Sequence, residues 1–109
     1  MGKTVAISLK SLYDYYTEGD TEYYSSVKTA FGYQLIRNNY DHLDHFDEKS
    51  DYFDLYDGSI DQTLCCDGEE VEVISEGNNK VTLKNNNLEK NQDGIFYLSK
   101  KEFDICTFN

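Results

Sequence analysis

The chain of 109 residues has no proline, no tryptophan and only three cysteines. It also lacks long hydrophobic runs. No segment approaches the roughly 20 apolar residues that cross a bilayer, which excludes a membrane-spanning helix. The N-terminus offers one lysine and then only Val5-Ala6-Ile7, far short of a signal-peptide core. Met1-Gly2 opens like an acylation signal, but position 6 is Ala where Ser or Thr is required. Cys65 and Cys66 are adjacent and Cys106 stands alone, so no disulfide framework is expected. Free buried thiols in a reducing compartment are the expectation instead. Catalytic signatures are missing too. There is no Gly-x-Ser-x-Gly, phosphate loop, His-Glu-x-x-His or dinucleotide fingerprint, and the reading is a protein that is not an enzyme and uses no cofactor.

What the chain has in abundance is negative charge, and it is pooled. Between Asp41 and Glu72 stand twelve acids and one base, Lys49, a net of −11. Residues 1–40 and 73–109 are each neutral, so the formal −11 of the whole chain belongs to its middle. Like charge concentrated in this way destabilises a compact state by self-repulsion. Such a surface disfavours direct binding to nucleic acid or to anionic membranes. It suits a basic partner, and the most basic protein surfaces are those built to hold nucleic acid. The apolar fraction, 39%, is low, but ten Tyr and six Phe supply large buried areas and argue against disorder. The length predicts one domain.

Ser8 is a candidate N-cap for a helix over Leu9–Glu18, with Leu9, Leu12, Tyr13 and Tyr16 on one face and Gly19 as its stop. Tyr23, Tyr24, Val27, Ala30, Phe31, Gln34 and Leu35 recur at three- and four-residue steps and predict a second helix over about 21–38. In 40–66, Asp57-Gly58 reads as a turn, and short helical turns are expected with Tyr52-Phe53 and Leu55-Tyr56 packed inward. From residue 68 the period becomes two. Val71 and Val73, the turn Glu76-Gly77-Asn78-Asn79, and Val81 and Leu83 predict a hairpin. Ile95–Leu98 is a third strand, Ser99-Lys100-Lys101-Glu102 a short turn or single helical turn, and Phe103–Phe108 a fourth strand. The expected fold is α+β in one domain: residues 1–39 helical, 40–67 acidic, and 68–109 a small antiparallel sheet of the kind found in partly open SH3-like barrels.

Asp41, Asp44, Asp47, Asp51, Asp54, Asp57 and Asp61 are three or four residues apart, and on a helix that spacing makes a single carboxylate stripe. A groove that tracks a phosphate backbone presents Lys and Arg at intervals that such an array matches, and a carboxylate is a good bidentate partner for an arginine fork. The predicted partner-binding residues are Asp44, Asp47, Glu48, Asp51, Asp54, Asp57 and Asp61, extended by Glu69, Glu70 and Glu72. No metal site is expected. The nearest calcium-loop match, Glu89-x-Asn91-x-Asp93-Gly94, carries Lys100 where the bidentate acid belongs. His42 and His45 have no Cys-x-x-Cys to complete a zinc site.

In size, composition and the charge pooled over Asp41–Glu72, the chain resembles the anti-CRISPR proteins of phages and mobile elements. Its lack of Pro and Trp beside abundant Asn, Tyr, Lys and Asp also fits an AT-rich bacterial, phage or plasmid gene. The resemblance implies a monomeric inhibitor in the bacterial cytoplasm that mimics DNA and fills the motif-reading groove of a Cas9-type nuclease bearing guide RNA. The alternative is an antitoxin-like or phage protein–protein interaction module without DNA mimicry.

Overall fold

A computed structural model describes residues 3–19, 25–39, 51–86 and 94–108. In chain order the elements are β1 (Lys3–Ile7), α1 (Leu9–Thr17), β2 (Ser26–Lys28), β3 (Gln34–Asn39), β4 (Asp51–Asp57), β5 (Gln62–Cys66), β6 (Glu70–Glu76), β7 (Lys80–Lys84), β8 (Ile95–Ser99), α2 (Lys100–Cys106) and β9 (Thr107–Phe108). The strands form two antiparallel sheets, β8-β7-β6-β1-β9 and β2-β3-β4-β5. The fold is therefore β-rich, which corrects the α+β expectation of two N-terminal helices and one small SH3-like sheet.

The first helix forms as its sequence dictates. Ser8 has extended backbone angles, and its hydroxyl accepts from Ser11 N at 3.3 Å. Glu18 turns left-handed at φ 55° and Gly19 at φ +85°, ending the helix. Leu9, Leu12 and Tyr13 are fully buried.

The expected second helix is instead a hairpin. Val27 and Leu35, which looked like helical neighbours, meet as cross-strand partners of β2 and β3. Gly32 at φ +88° takes the turn: its N–H donates to Thr29 O at 3.0 Å, and Thr29 N donates to Tyr33 O at 2.9 Å. Tyr33 and Leu35 then point inward at the two-residue period of a strand.

The described part of the acidic middle is also a strand pair. Phe53 and Leu55 on β4 are buried, while Tyr52 and Tyr56 face the other side and stay half-exposed, so only one member of each expected pair packs inward. A register shift in β5 leaves Leu64 without a partner and turns both Leu64 and Cys65 into the core.

The β6–β7 hairpin and β8 stand where alternation placed them. The expected fourth strand is mostly α2, because Ser99 and Glu102 form a capping box. Glu102 N donates to Ser99 Oγ at 3.1 Å, and Ser99 N donates to Glu102 Oε1 at 2.9 Å. Only Thr107 and Phe108 are strand, and they pair with β1 rather than β8.

Both sheets and both helices contribute to one core. Val5, Ile7, Leu35, Leu55, Val71, Leu83, Phe96 and Leu98 meet Leu12 and Tyr13 of α1 and Phe103 of α2. Each such side chain, fully buried, contributes about 1.5–3 kcal/mol. The sheets are tied at the β8 edge, where Tyr97 N donates to the Tyr33 hydroxyl at 3.1 Å. They are tied again at β5, where Asn85 Nδ2 donates to Leu64 O at 2.8 Å.

Two substitutions probe this frame by chemical denaturation. Glu102→Ala strands the donors that its carboxylate satisfies and is expected to cost about 2–4 kcal/mol, with Glu102→Gln intermediate. Gly94→Ala sets a methyl 2.4 Å from Asn85 O at φ +71° and is expected to cost more than Gly68→Ala, where φ is +83° but nothing lies within 4 Å.

Candidate binding surface

The fold distributes the described part of the acidic run over two sheets and two turns. Asp57 closes β4, and its Oδ1 accepts from Ser59 N at 3.0 Å and Ser59 Oγ at 2.7 Å. Ile60 N donates to Asp57 O at 3.4 Å, Asp61 is left-handed at φ 52°, and the Tyr56 hydroxyl donates to the Asp61 carboxylate. That carboxylate is the first cause of the raised Tyr56 pKa, ahead of desolvation and the charge of Asp57. Asp57 and Asp61 are thus gathered at one ordered hairpin tip.

Asp54 sits mid-strand on the opposite face from Leu55, between Ile36 of β3 and Cys66 of β5. Burial pushes the Cys66 thiol up from 9.0 to about 11, and its hydrogen bond to Asp54 adds to the rise. Glu70 and Glu72 lie on the outward face of β6, opposite Ala6 and Thr4 of β1, with Lys84 beside Glu72 on β7.

A helix would have joined the aspartates into one stripe. In a strand, successive side chains alternate, so positions 54 and 57, three apart, face opposite ways. For the described aspartates the single stripe is corrected on that ground. Asp44, Asp47 and Glu48 lie outside the described residues, as do Asp41, His42 and His45. Asp51 is described only through its backbone, which pairs with Asn39.

Two acids of the run have structural work. Asp67 Oδ1 accepts from Leu9 N at 2.7 Å and Lys10 N at 3.3 Å, capping α1 across the chain. Glu69, a predicted contact, directs Oε1 at Cys66 N, 2.9 Å away, and Asn85 Nδ2, 3.0 Å away. Glu69 is thereby also part of the frame.

The four ion pairs among the described residues all use acids outside the run: Lys3–Glu76, Lys10–Asp14, Lys100–Glu76 and Lys100–Asp104. Among the described residues no lysine or arginine nitrogen lies within 4 Å of the carboxylates of Asp57, Asp61, Glu70 or Glu72. Three lysines also rest on aromatic rings: Lys80 on Tyr97 at 4.7 Å, Lys101 on Tyr15 at 5.3 Å and Lys100 on Phe103 at 5.5 Å. A shallow depression of about 510 Å³ lies between Asn78, Asn79 and the start of α2. Its Lys100 is already held by Glu76 and Asp104.

Sequence reasoning missed Glu102, Asp67 and the Cys66–Asp54 contact. For Glu102 a signal was present in Ser99-x-x-Glu102, the spacing of a capping box. The other two join residues brought together only by sheet register and chain reversal. Among the described residues no three His, Cys, Asp or Glu side chains gather as metal ligands, and no helix is long and apolar enough to cross a membrane. Comparison with protein-family models, curated proteins and solved structures returns no significant match, so the functional reading stands on these side chains alone.

The thiols give a pH test. Burial pushes Cys106 up to about 12, with the Glu102 charge second, and desolvation also pushes Cys65 well above its ordinary value. Unfolded thiols release protons near 9.0 while the folded ones hold theirs, so the folded state binds more protons above that pH. Their contribution to stability is complete below pH 9 and is lost as pH rises toward 11–12. Urea midpoints are expected to fall across that window. At pH 8, Asp54→Asn is expected to speed alkylation of the exposed Cys66 by removing the carboxylate that holds its proton.

Proposed function

We propose that this chain is a non-enzymatic binding module whose carboxylates stand in for a phosphate backbone in the cationic groove of a nucleic-acid-binding protein. The observation that carries the reading is the distribution of ion pairs. Lys3, Lys10 and Lys100 pair with Asp14, Glu76 and Asp104, while among the described residues no lysine or arginine nitrogen lies within 4 Å of Asp57, Asp61, Glu70 or Glu72. Unneutralised charge raises self-repulsion, and a cationic partner relieves it on binding.

The contact set is drawn from the hairpin tip (Asp57, Asp61), the face of β4 (Asp54) and the face of β6 (Glu70, Glu72). Asp44, Asp47, Glu48 and Asp51 belong to the proposal through the sequence alone. Asp67 and Glu69 are left out because they hold α1 and β5 in place. The target proposed first is a Cas9-type nuclease with guide RNA, whose motif-reading arginines can donate to carboxylates as they donate to guanine. Action in the host cytoplasm is part of the same proposal.

A second reading has its own observation. Phe31 is 40% exposed and lies 6.0 Å from the Tyr97 ring, and Tyr15 is 43% exposed, so an aromatic edge is available to a partner bound without mimicry, as in an antitoxin-like module.

Capture by a panel of Cas nucleases, with and without guide RNA, at low and moderate salt separates the two. The mimicry reading expects Asp57→Asn with Asp61→Asn, and Glu70→Gln with Glu72→Gln, each to weaken capture. Each lost contact should also lower the log–log salt slope by about one unit. Capture that tolerates salt and both neutralised pairs but is lost in Phe31→Ala overturns it in favour of the aromatic edge.

A further inference from the structure

We propose that Asp57-Gly58 is a site of spontaneous backbone isomerisation, and that the fold protects the second described Asp-Gly pair, Asp67-Gly68, from the same reaction. The chemistry is intramolecular. The Asp57 carboxyl reacts in its protonated form, having taken a proton from solvent. The Gly58 nitrogen attacks Cγ and its proton passes to the departing hydroxyl; the Cγ–OH bond breaks, water leaves, and a five-membered succinimide forms. Water then opens the ring at either carbonyl, returning aspartate or giving isoaspartate, whose main chain runs through Cβ. Atoms balance with one water released and one consumed, and no oxidant or cofactor takes part.

Three features favour Asp57. Its Oδ1 accepts from Ser59 N at 3.0 Å and Ser59 Oγ at 2.7 Å, closing a ring that keeps the carboxyl folded over the Gly58 peptide. Among the described residues the Gly58 N–H has no hydrogen-bond acceptor, so the nucleophile is free. A Cβ built on Gly58 would meet only Tyr56 Cε2, at 3.8 Å, so the Gly58 side of the turn is open.

Asp67-Gly68 is the reverse. The Gly68 N–H donates to Ile7 O at 2.7 Å, which ties up the nucleophile. The Asp67 carboxylate is drawn onto Leu9 N and Lys10 N. Exposure does not explain the ranking, because Asp67 is exposed and Asp57 only half-exposed. Isomerisation at Asp57 inserts a methylene into the main chain at the hairpin tip and shifts its carboxylate. The reaction does not depend on what the tip binds.

The test is ageing of the intact folded protein at physiological temperature, with a parallel sample in denaturant. Isoaspartate at 57 and 67 is quantified by peptide mapping with electron-transfer fragmentation. The expected result is accumulation at 57 several-fold faster than at 67 in the folded sample, with the two rates converging in denaturant. Gly58→Ala, at a position with ordinary φ, is expected to slow the reaction at 57 and leave 67 unchanged. Equal accumulation at both sites in the folded protein, a lead for 67, or no product at 57 under conditions where the denatured chain forms it, overturns the proposal.

Discussion

A buried carboxylate joins the separate parts of this molecule. Glu102 is 1% exposed, and among the described residues no cation lies within 4 Å of it. Burying a charge costs several kcal/mol unless donors surround it. Here the donors come from three places: the Tyr16 hydroxyl on α1, Ala30 N at the β2–β3 turn, 2.9 Å away, and Ser99 N where β8 ends, 2.9 Å away. Each donor is satisfied only if its element is docked, so the cost of the charge is offset when helix, turn and both sheets are in place together. The neighbouring groups register it: the Tyr16 pKa is raised first by burial and then by Glu102.

The same economy governs the rest of the charge. Asp67 and Glu69 are answered by backbone and amide donors, and the described ion pairs sit on Asp14, Glu76 and Asp104. Surface pairs of that kind contribute little to stability. They do decide where cations are spent, and they leave Asp57, Asp61, Glu70 and Glu72 to face solvent or a partner. The described acids stand at the tip and on the outer faces of strands whose inward residues, Phe53, Leu55, Val71 and Val73, belong to the shared core.

How much of this was legible depended on where local signals agreed. Ser8, Leu9, Leu12 and Gly19 all specify α1, and Val71, Val73, Val81 and Leu83 alternate on either side of a Gly-Asn turn, so both elements were readable. The second helix failed because tyrosines and Val27, Phe31 and Leu35 fit a period of 3.6 by chance, whereas Gly32 at positive φ decided the backbone. The acidic segment failed for a related reason. Aspartate has poor propensity for helix and strand alike, so the acids did not discriminate, and Phe53 and Leu55 became a strand by pairing with β3 and β5, a non-local event. Among the site residues, residue type was legible and facing was not, since facing follows from the period.

The claim at the centre of this account is that, among the described carboxylates, Asp57, Asp61, Glu70 and Glu72 are the ones left open to a cation. It is tested most directly by following side-chain carboxylate resonances during titration with a short oligo-arginine peptide at low salt. The account expects the early, salt-sensitive shifts at Asp57, Asp61, Glu70 and Glu72, with Asp14, Glu76 and Asp104 lagging. Shifts spread evenly over all carboxylates, or led by Glu76 and Asp104, would contradict it.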